Sequence, residues 1–171
     1  MQRNATYNKI RQILDTASQS NLGINGLAQS IHDNPNSFIY YRRVDGQVRE
    51  YPCQLSTIRD KIRFCIELGF LDNEQNCALT SAGLEAQDAD RFGLVLQQAL
   101  LEYLENNDLP WSRIKSAIEE LEYPGPRQIY AELSPSLSED LFRTCLFLLS
   151  QCGADMDQNI LNSHVMKIYQ T

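Results

Sequence analysis

LSTIRDKIRFCIELGFLDNEQNCALTSAG, residues 55–83, decides the fold, because an amphipathic helix runs here into a short apolar strand, a polar turn and a return strand. Leu55, Ile58, Ile62, Cys65, Ile66 and Gly69 recur at three- and four-residue steps, which at about 100° per residue places them on one inward stripe. Ser56, Arg59, Asp60, Arg63 and Glu67 lie on the opposite face. Thr57 is suited to cap the helix, and Asp60 suits its N-terminal dipole. Gly69 stops the helix, Phe70 and Leu71 start an extended segment, and Asn73 to Asn76 make the turn. Cys77 to Leu79 then return toward Thr80-Ser81-Ala82-Gly83.

Working outward, the preceding segment FIYYRRVDGQVREY, residues 38–51, predicts a β-hairpin. Aromatic and β-branched residues flank Asp45-Gly46, the pair favoured in a two-residue type I′ turn. With Val44 facing Gln47, the register sets Arg42 opposite Arg49 and Tyr40 opposite Tyr51 on one face, and Arg43 opposite Val48 on the other. Two opposed arginines repel by a few tenths to ~1 kcal/mol unless an anion lies between them. Arg42 and Arg49 are therefore a candidate phosphate clamp, and the same residues also fit a solvated hairpin with its arginines splayed into water.

Upstream, a helix is predicted over 5–20 with Tyr7, Ile10, Ile13, Leu14 and Ala17 inward. Asn21-Leu22-Gly23 ends it. A second helix starts near Asn25, read as its N-cap, buries Leu27, Ala28 and Ile31, and breaks at Asn34-Pro35. Downstream, residues 91–106 carry apolar side chains nearly all round, a pattern of burial on more than one side or against a second copy. Pro110-Trp111-Ser112 starts a helix with Ile114, Ala117, Ile118 and Leu121 inward and Trp111 as a core anchor. Tyr123-Pro124-Gly125-Pro126 breaks it, and a short turn carries Ile129, Tyr130 and Leu133. Ser136-x-x-Glu139 reads as a capping box for a helix with Phe142, Cys145, Leu146, Leu149 and Cys152, closed by Gly153. Ile160-Leu161 and residues 165–169 read as short strands.

The run Leu-Gly-Phe-Leu-Asp at 68–72 with Ala-Leu-Thr-Ser-Ala-Gly at 78–83 resembles the Leu-Gly-hydrophobic-Leu … Leu-Thr-x-x-Gly signature of the winged helix-turn-helix superfamily. That resemblance speaks for fold before function. It implies that the 55–67 helix is a recognition helix, with Ser56, Arg59, Asp60 and Arg63 toward a major groove and Lys61 in the same basic run. Intrahelical charge pairing on a solvated face fits these residues equally. The sequence departs from the pattern twice: the hairpin is an added arm between the second and third helices, and the wing offers Asp72 and Glu74 where a phosphate grip offers Lys or Arg.

A second signal is internal. At an offset of 84 residues Ile58 falls on Phe142, Ile62 on Leu146, Cys65 on Leu149, Gly69 on Gly153 and Arg59 on Arg143. The matched positions are mainly core positions, so they predict duplicated architecture and not a duplicated site. The expected fold class is mainly α with small β (α+β): two winged-helix-like domains in tandem, 1–86 and 87–171, with the β-hairpin arm inserted in the first.

Composition bounds the function. The chain has 171 residues, 43% of them hydrophobic, which suits one medium or two small cored domains. The absence of a long apolar run and of an apolar N-terminal centre predicts a cytoplasmic protein with no membrane partner. Cys53, Cys65, Cys77, Cys145 and Cys152 have no metal-ligand spacing, so no metal and no cofactor is expected, and reduced packed thiols are. His32 and His164 have no ligand set around them. A net charge of −7 hides an asymmetry: residues 1–63 hold nine Lys/Arg against five Asp/Glu, 64–90 none against six, and 91–171 six against eleven. A local basic surface acts within about one Debye length, ~8 Å, whatever the total charge.

No phosphate loop, nucleophile elbow or zinc helix is present, and Glu119, Glu120 and Glu122 read as a solvated face, so neither catalysis nor a small-molecule substrate is expected. The expected function is double-stranded DNA binding by a transcriptional regulator or an accessory factor of a DNA-handling system. Arg42, Arg43 and Arg49 would anchor phosphates; Ser56, Arg59, Lys61 and Arg63 would work from the third helix. Residues 87–171 would serve a homodimer or a protein partner. The alternative is a scaffold of tandem winged helices without nucleic acid, and the chain is similar in size and layout to the kleisin-associated subunits of bacterial condensins and to winged-helix subunits of membrane-sorting complexes.

Overall fold

A computed structural model describes residues 4–34, 38–122, 125–152 and Leu161. The chain is mainly α with one small antiparallel sheet, in the order α1 (Asn4–Ser18), α2 (Ile24–Asp33), β1 (Ile39–Val44), β2 (Gln47–Pro52), α3 (Leu55–Glu67), α4 (Ser81–Ala86), α5 (Phe92–Asn106), α6 (Trp111–Glu120), α7 (Pro126–Leu133) and α8 (Glu139–Gln151). It divides into two compact units, Met1–Arg91 and Phe92–Thr171. None of the described helices is long and apolar enough to cross a membrane.

In the first unit α2 packs on α3, and α1 touches α2, α3 and α4. The predicted stripes meet there: Ile10, Ile13, Leu14, Leu27, Ile31, Ile58, Ile62 and Cys65 are buried. Phe64 is buried as well, although it stands off the predicted α3 stripe, whereas Leu55 and Ile66 are only half-buried. The Leu-Gly-Phe-Leu motif ends α3. Gly69 takes φ +82°, a left-handed conformation that a Cβ resists, and Phe70 N–H donates back to Cys65 O at 3.0 Å.

Phe70 and Leu71 then enter the core, and Leu71 forms an antiparallel bridge with Leu79. Thr80 joins both ends of the motif: its N–H donates to Phe70 O, its hydroxyl donates to Gly69 O and accepts from Gly83 N–H to cap α4. Gly83 is a steric requirement, since a Cβ there would lie 2.2 Å from Phe70 O.

One connection was not visible in the chain. Leu22 O accepts from Cys77 N–H at 3.1 Å and Ile24 N–H donates to Glu74 O at 2.8 Å, so the segment before α2 lines up with the 72–78 loop. A Cβ on Gly23 would meet the Gln75 and Glu74 carbonyls at 3.0 and 3.1 Å. Gly23, not Asn25, is accordingly the N-cap residue of α2, with Ile24 N–H already satisfied from the loop. Gln54, not Thr57, occupies the N-cap position of α3, because the hairpin ends at Pro52 and the helix begins at once. Neither cap makes a side-chain bond.

The second unit is helical among its described residues. Phe92, Leu96, Leu100, Ile114, Ile118, Ile129, Phe142, Cys145, Leu146 and Leu149 are buried, and α5 packs on α8, α6 on α7, and α7 on α8. Helix α5 buries one face in this unit and leaves Leu94 52% exposed. Trp111 is half-buried at the start of α6, and Leu121 lies outside the core. Ser138, not Ser136, caps α8, its Oγ accepting from Leu141 N–H at 3.2 Å.

Leu161 is helical and buried, not extended. The rest of the predicted 160–169 strands, Gly153, His164 and the Tyr123-Pro124 half of the predicted break lie outside the described residues.

Some helix lengths recur between the two units, although the packing differs: α2 lies against α3 in the first, whereas α5 lies against α8 in the second. Helices α1 and α5 have 15 residues each, α2 and α6 have 10, and α3 and α8 have 13. Between the second and third of these the first unit carries the hairpin and the second carries α7.

Candidate nucleic-acid interface

The hairpin has the predicted register: Tyr40 pairs with Tyr51, Arg42 with Arg49, Arg43 with Val48 and Val44 with Gln47. Asp45 and Gly46 take φ 52° and 78°, the positive pair that a type I′ turn needs. Tyr40 and Tyr51 stack across the strands with centroids 5.5 Å apart and planes 25° apart. Next to this stack, on the same face, stand Arg42 and Arg49, both exposed. Arg43 is exposed on the other face beside Val48, which is 59% open to water.

At the root of the hairpin Cys53 N–H donates to Phe38 O at 2.7 Å, and both side chains are buried. The arm is thus anchored at its base, while its arginine-bearing end stands in solvent.

The α3 face is arranged differently. Ser56 is exposed and Arg59 is half-buried, its Nη1 donating to Asn25 Oδ1 at 3.4 Å. Arg63 Nε donates to Glu74 Oε1 at 2.7 Å and its Nη1 to Asp60 Oδ1 at 3.2 Å. The bond to Glu74 pushes the guanidinium pKa up. One predicted groove contact is therefore bound to the acidic loop and to its own helix.

Lys61 does not join this face. It is half-buried on the side that carries Cys65, and burial, with Lys9 adding like charge, pulls its pKa down. Its place was readable in part, since it stands three residues after Ile58 and four before Cys65, at the margin of the apolar stripe.

The structure thus gathers Arg42 and Arg49, with Arg43 behind them, on one exposed ribbon. It holds Ser56, Arg59 and Arg63 on a separate face that contains its own counter-charges, and turns Lys61 inward. Sequence reasoning missed Lys9, the buried partner of Cys53, whose only signal was its place one turn before Ile13. Among the described residues no group of three or more His, Cys, Asp or Glu could hold a metal ion. No family model, curated protein or solved structure matches this chain.

Proposed function

We propose that this protein binds double-stranded DNA, as a transcriptional regulator or an accessory factor of a DNA-handling system, through the hairpin arm of a winged-helix-like first unit. The observation that carries the reading is the register itself, which sets Arg42 directly against Arg49 on an exposed face. Like charges so placed weaken a strand pair, and a two-stranded ribbon is marginal to begin with. A phosphate between them converts the repulsion into two charge-assisted hydrogen bonds.

The winged-helix reading is supported by the order of three helices followed by a bridged loop and by the backbone bonds from that loop to the segment before α2. A two-stranded ribbon also fits a major groove in width.

The weight shifts within the expected site. Arg42, Arg43 and Arg49 are the phosphate anchors, and Ser56 and Arg59 give secondary contacts. Arg63 reaches DNA only by leaving Glu74. The second unit serves a dimer or a protein partner.

Fluorescence anisotropy of labelled mixed-sequence duplex DNA at several salt concentrations tests this. With four to six phosphates neutralised, log affinity falls against log salt with a slope of roughly −4 to −5. Arg42→Ala with Arg49→Ala flattens the slope by about 2. Absence of binding at low salt would overturn the proposal.

One observation favours a second reading, a tandem winged-helix scaffold without nucleic acid: the Asp60–Arg63–Glu74 chain balances charge on the α3 face within the protein itself. An unchanged salt slope in the double variant favours that reading.

A further inference from the structure

The face of the hairpin that carries Arg42 and Arg49 also carries Tyr40 and Tyr51, two residues nearer the root on each strand. The rings stack on each other at 5.5 Å, and Tyr40 is 37% exposed with Tyr51 half-buried, so the pair stays partly open to water. Among the described residues neither Arg42 nor Arg49 stands in an ion pair. Arg63 on α3, by contrast, is bonded to both Glu74 and Asp60. Cross-strand stacking alone holds a ribbon together wherever it sits. It does not call for two unneutralised cations beside it on an open face.

Same-face neighbours along a strand lie about 7 Å apart, a distance that one nucleotide spans between its phosphate and its base. Paired bases hide their flat faces in the helical stack, so on a duplex only the arginines of this face meet their partner. An unpaired base offers a flat face to an aromatic ring, and stacking of that kind strengthens binding about fivefold or more per base.

We propose that this face is a binding site for unpaired nucleotides of DNA. Arg42 and Arg49 hold a phosphate, and Tyr40, whose other ring face is taken by Tyr51, stacks on the adjoining base. The tyrosine pair thereby directs the arm to duplex that carries a single-stranded stretch, at an end, a gap or a junction. Such selection rests on the DNA-binding reading above and adds to it a choice between paired and unpaired strands.

The test is fluorescence anisotropy of the full-length protein with two labelled DNAs that share one duplex, one extended by about ten unpaired thymidines and the other by as many base pairs. The tailed DNA is expected to bind about fivefold or more tighter, although it offers fewer phosphates. Tyr40→Thr, which keeps a strand-forming residue, is expected to lose that preference, and Tyr40→Phe, which keeps the ring, to retain it. A fluorescent base analogue placed in the tail is expected to be quenched on binding the wild type and Tyr40→Phe, but not Tyr40→Thr. Equal affinity of the wild type for the two DNAs, or a preference that persists in Tyr40→Thr, would overturn the stacking site and leave duplex binding standing. Absence of binding to either DNA at low salt would overturn both. Where Tyr40→Thr weakens both DNAs alike, the arm itself has loosened, and quenching of the base analogue by the wild type then decides, its absence overturning the site.

Discussion

A methyl group at Gly83 would sit 2.2 Å from the carbonyl oxygen of Phe70, and the obstacle is backbone, not the end of a flexible side chain. Phe70 cannot retreat, because its ring is fully buried and its N–H is bonded to Cys65 O. Gly83→Ala is therefore expected to destabilise the first unit by about 1–3 kcal/mol, read as a lower urea midpoint. Thr80→Ala, which removes the α4 cap and the bond to Gly69 O, is expected to cost about 1 kcal/mol, and Thr80→Ser to restore most of it.

Lys61 gives a different kind of residue effect. Burial and Lys9 lower its folded pKa below 10.5, so between the folded value and 10.5 the unfolded chain binds the extra proton and stability rises with pH. Cys65 works the other way. Its thiol goes from 9.0 to about 12 on folding, so stability falls through that interval as the unfolded chain ionises first. Lys61→Met is expected to raise stability at pH 7 and to leave the alkaline decline above pH 9 without its offset. Urea titrations from pH 7 to 10.5 check both signs, and a parallel shift of the whole curve would contradict the linkage.

At the scale of the element, the hairpin lets its stability and the proposed DNA binding be tested apart. Arg49→Glu places a carboxylate opposite Arg42, and that cross-strand pair should firm the ribbon by a few tenths to ~1 kcal/mol. If the hairpin binds DNA as proposed, the same change removes a proposed phosphate anchor and adds a negative charge, so duplex affinity is expected to fall more than tenfold at low salt. Amide exchange across residues 39–52 reads the first effect and anisotropy the second. Slower exchange with weaker binding is the expected pair of results. Weaker binding with faster exchange would mean that the arm had merely come apart.

The hairpin was legible because its information is local: Asp45-Gly46 fixes the turn, and the turn fixes every pair beyond it. The helix caps were less so, because they are settled from a distance. Asn25 is a good capping residue, but the 72–78 loop bonds Ile24 N–H and leaves Gly23 in the cap position. Thr57 is a good cap by type, yet a strand ending at Pro52 starts α3 two residues before it. Arg63 was readable as outward-facing but not as bonded to Glu74, since that bond depends on where the loop returns.

Across the whole molecule, α8 begins and ends 84 residues after α3, the offset at which their core positions match. Phe142, Leu146 and Leu149 are buried like Ile58, Ile62 and Cys65. The point of departure is equally informative: where the first unit extends a ribbon bearing Arg42, Arg43 and Arg49, the second carries α7, whose Ile129 and Leu133 turn inward. The equal spacing of α3 and α8 is thus matched in core positions and helix length, while the segments before them differ, a basic ribbon in one unit and a packed helix in the other.

The frame also sets a test of how the units unfold. Each has its own buried cluster, so each has its own source of cooperativity. Trp111, the chain's one tryptophan, lies at the start of α6 in the second unit. In Gly83→Ala the urea midpoint read by amide exchange across 55–83 is expected to fall, while the midpoint read by Trp111 fluorescence stays at its wild-type value. A Trp111 transition that moves with the first would show one cooperative block.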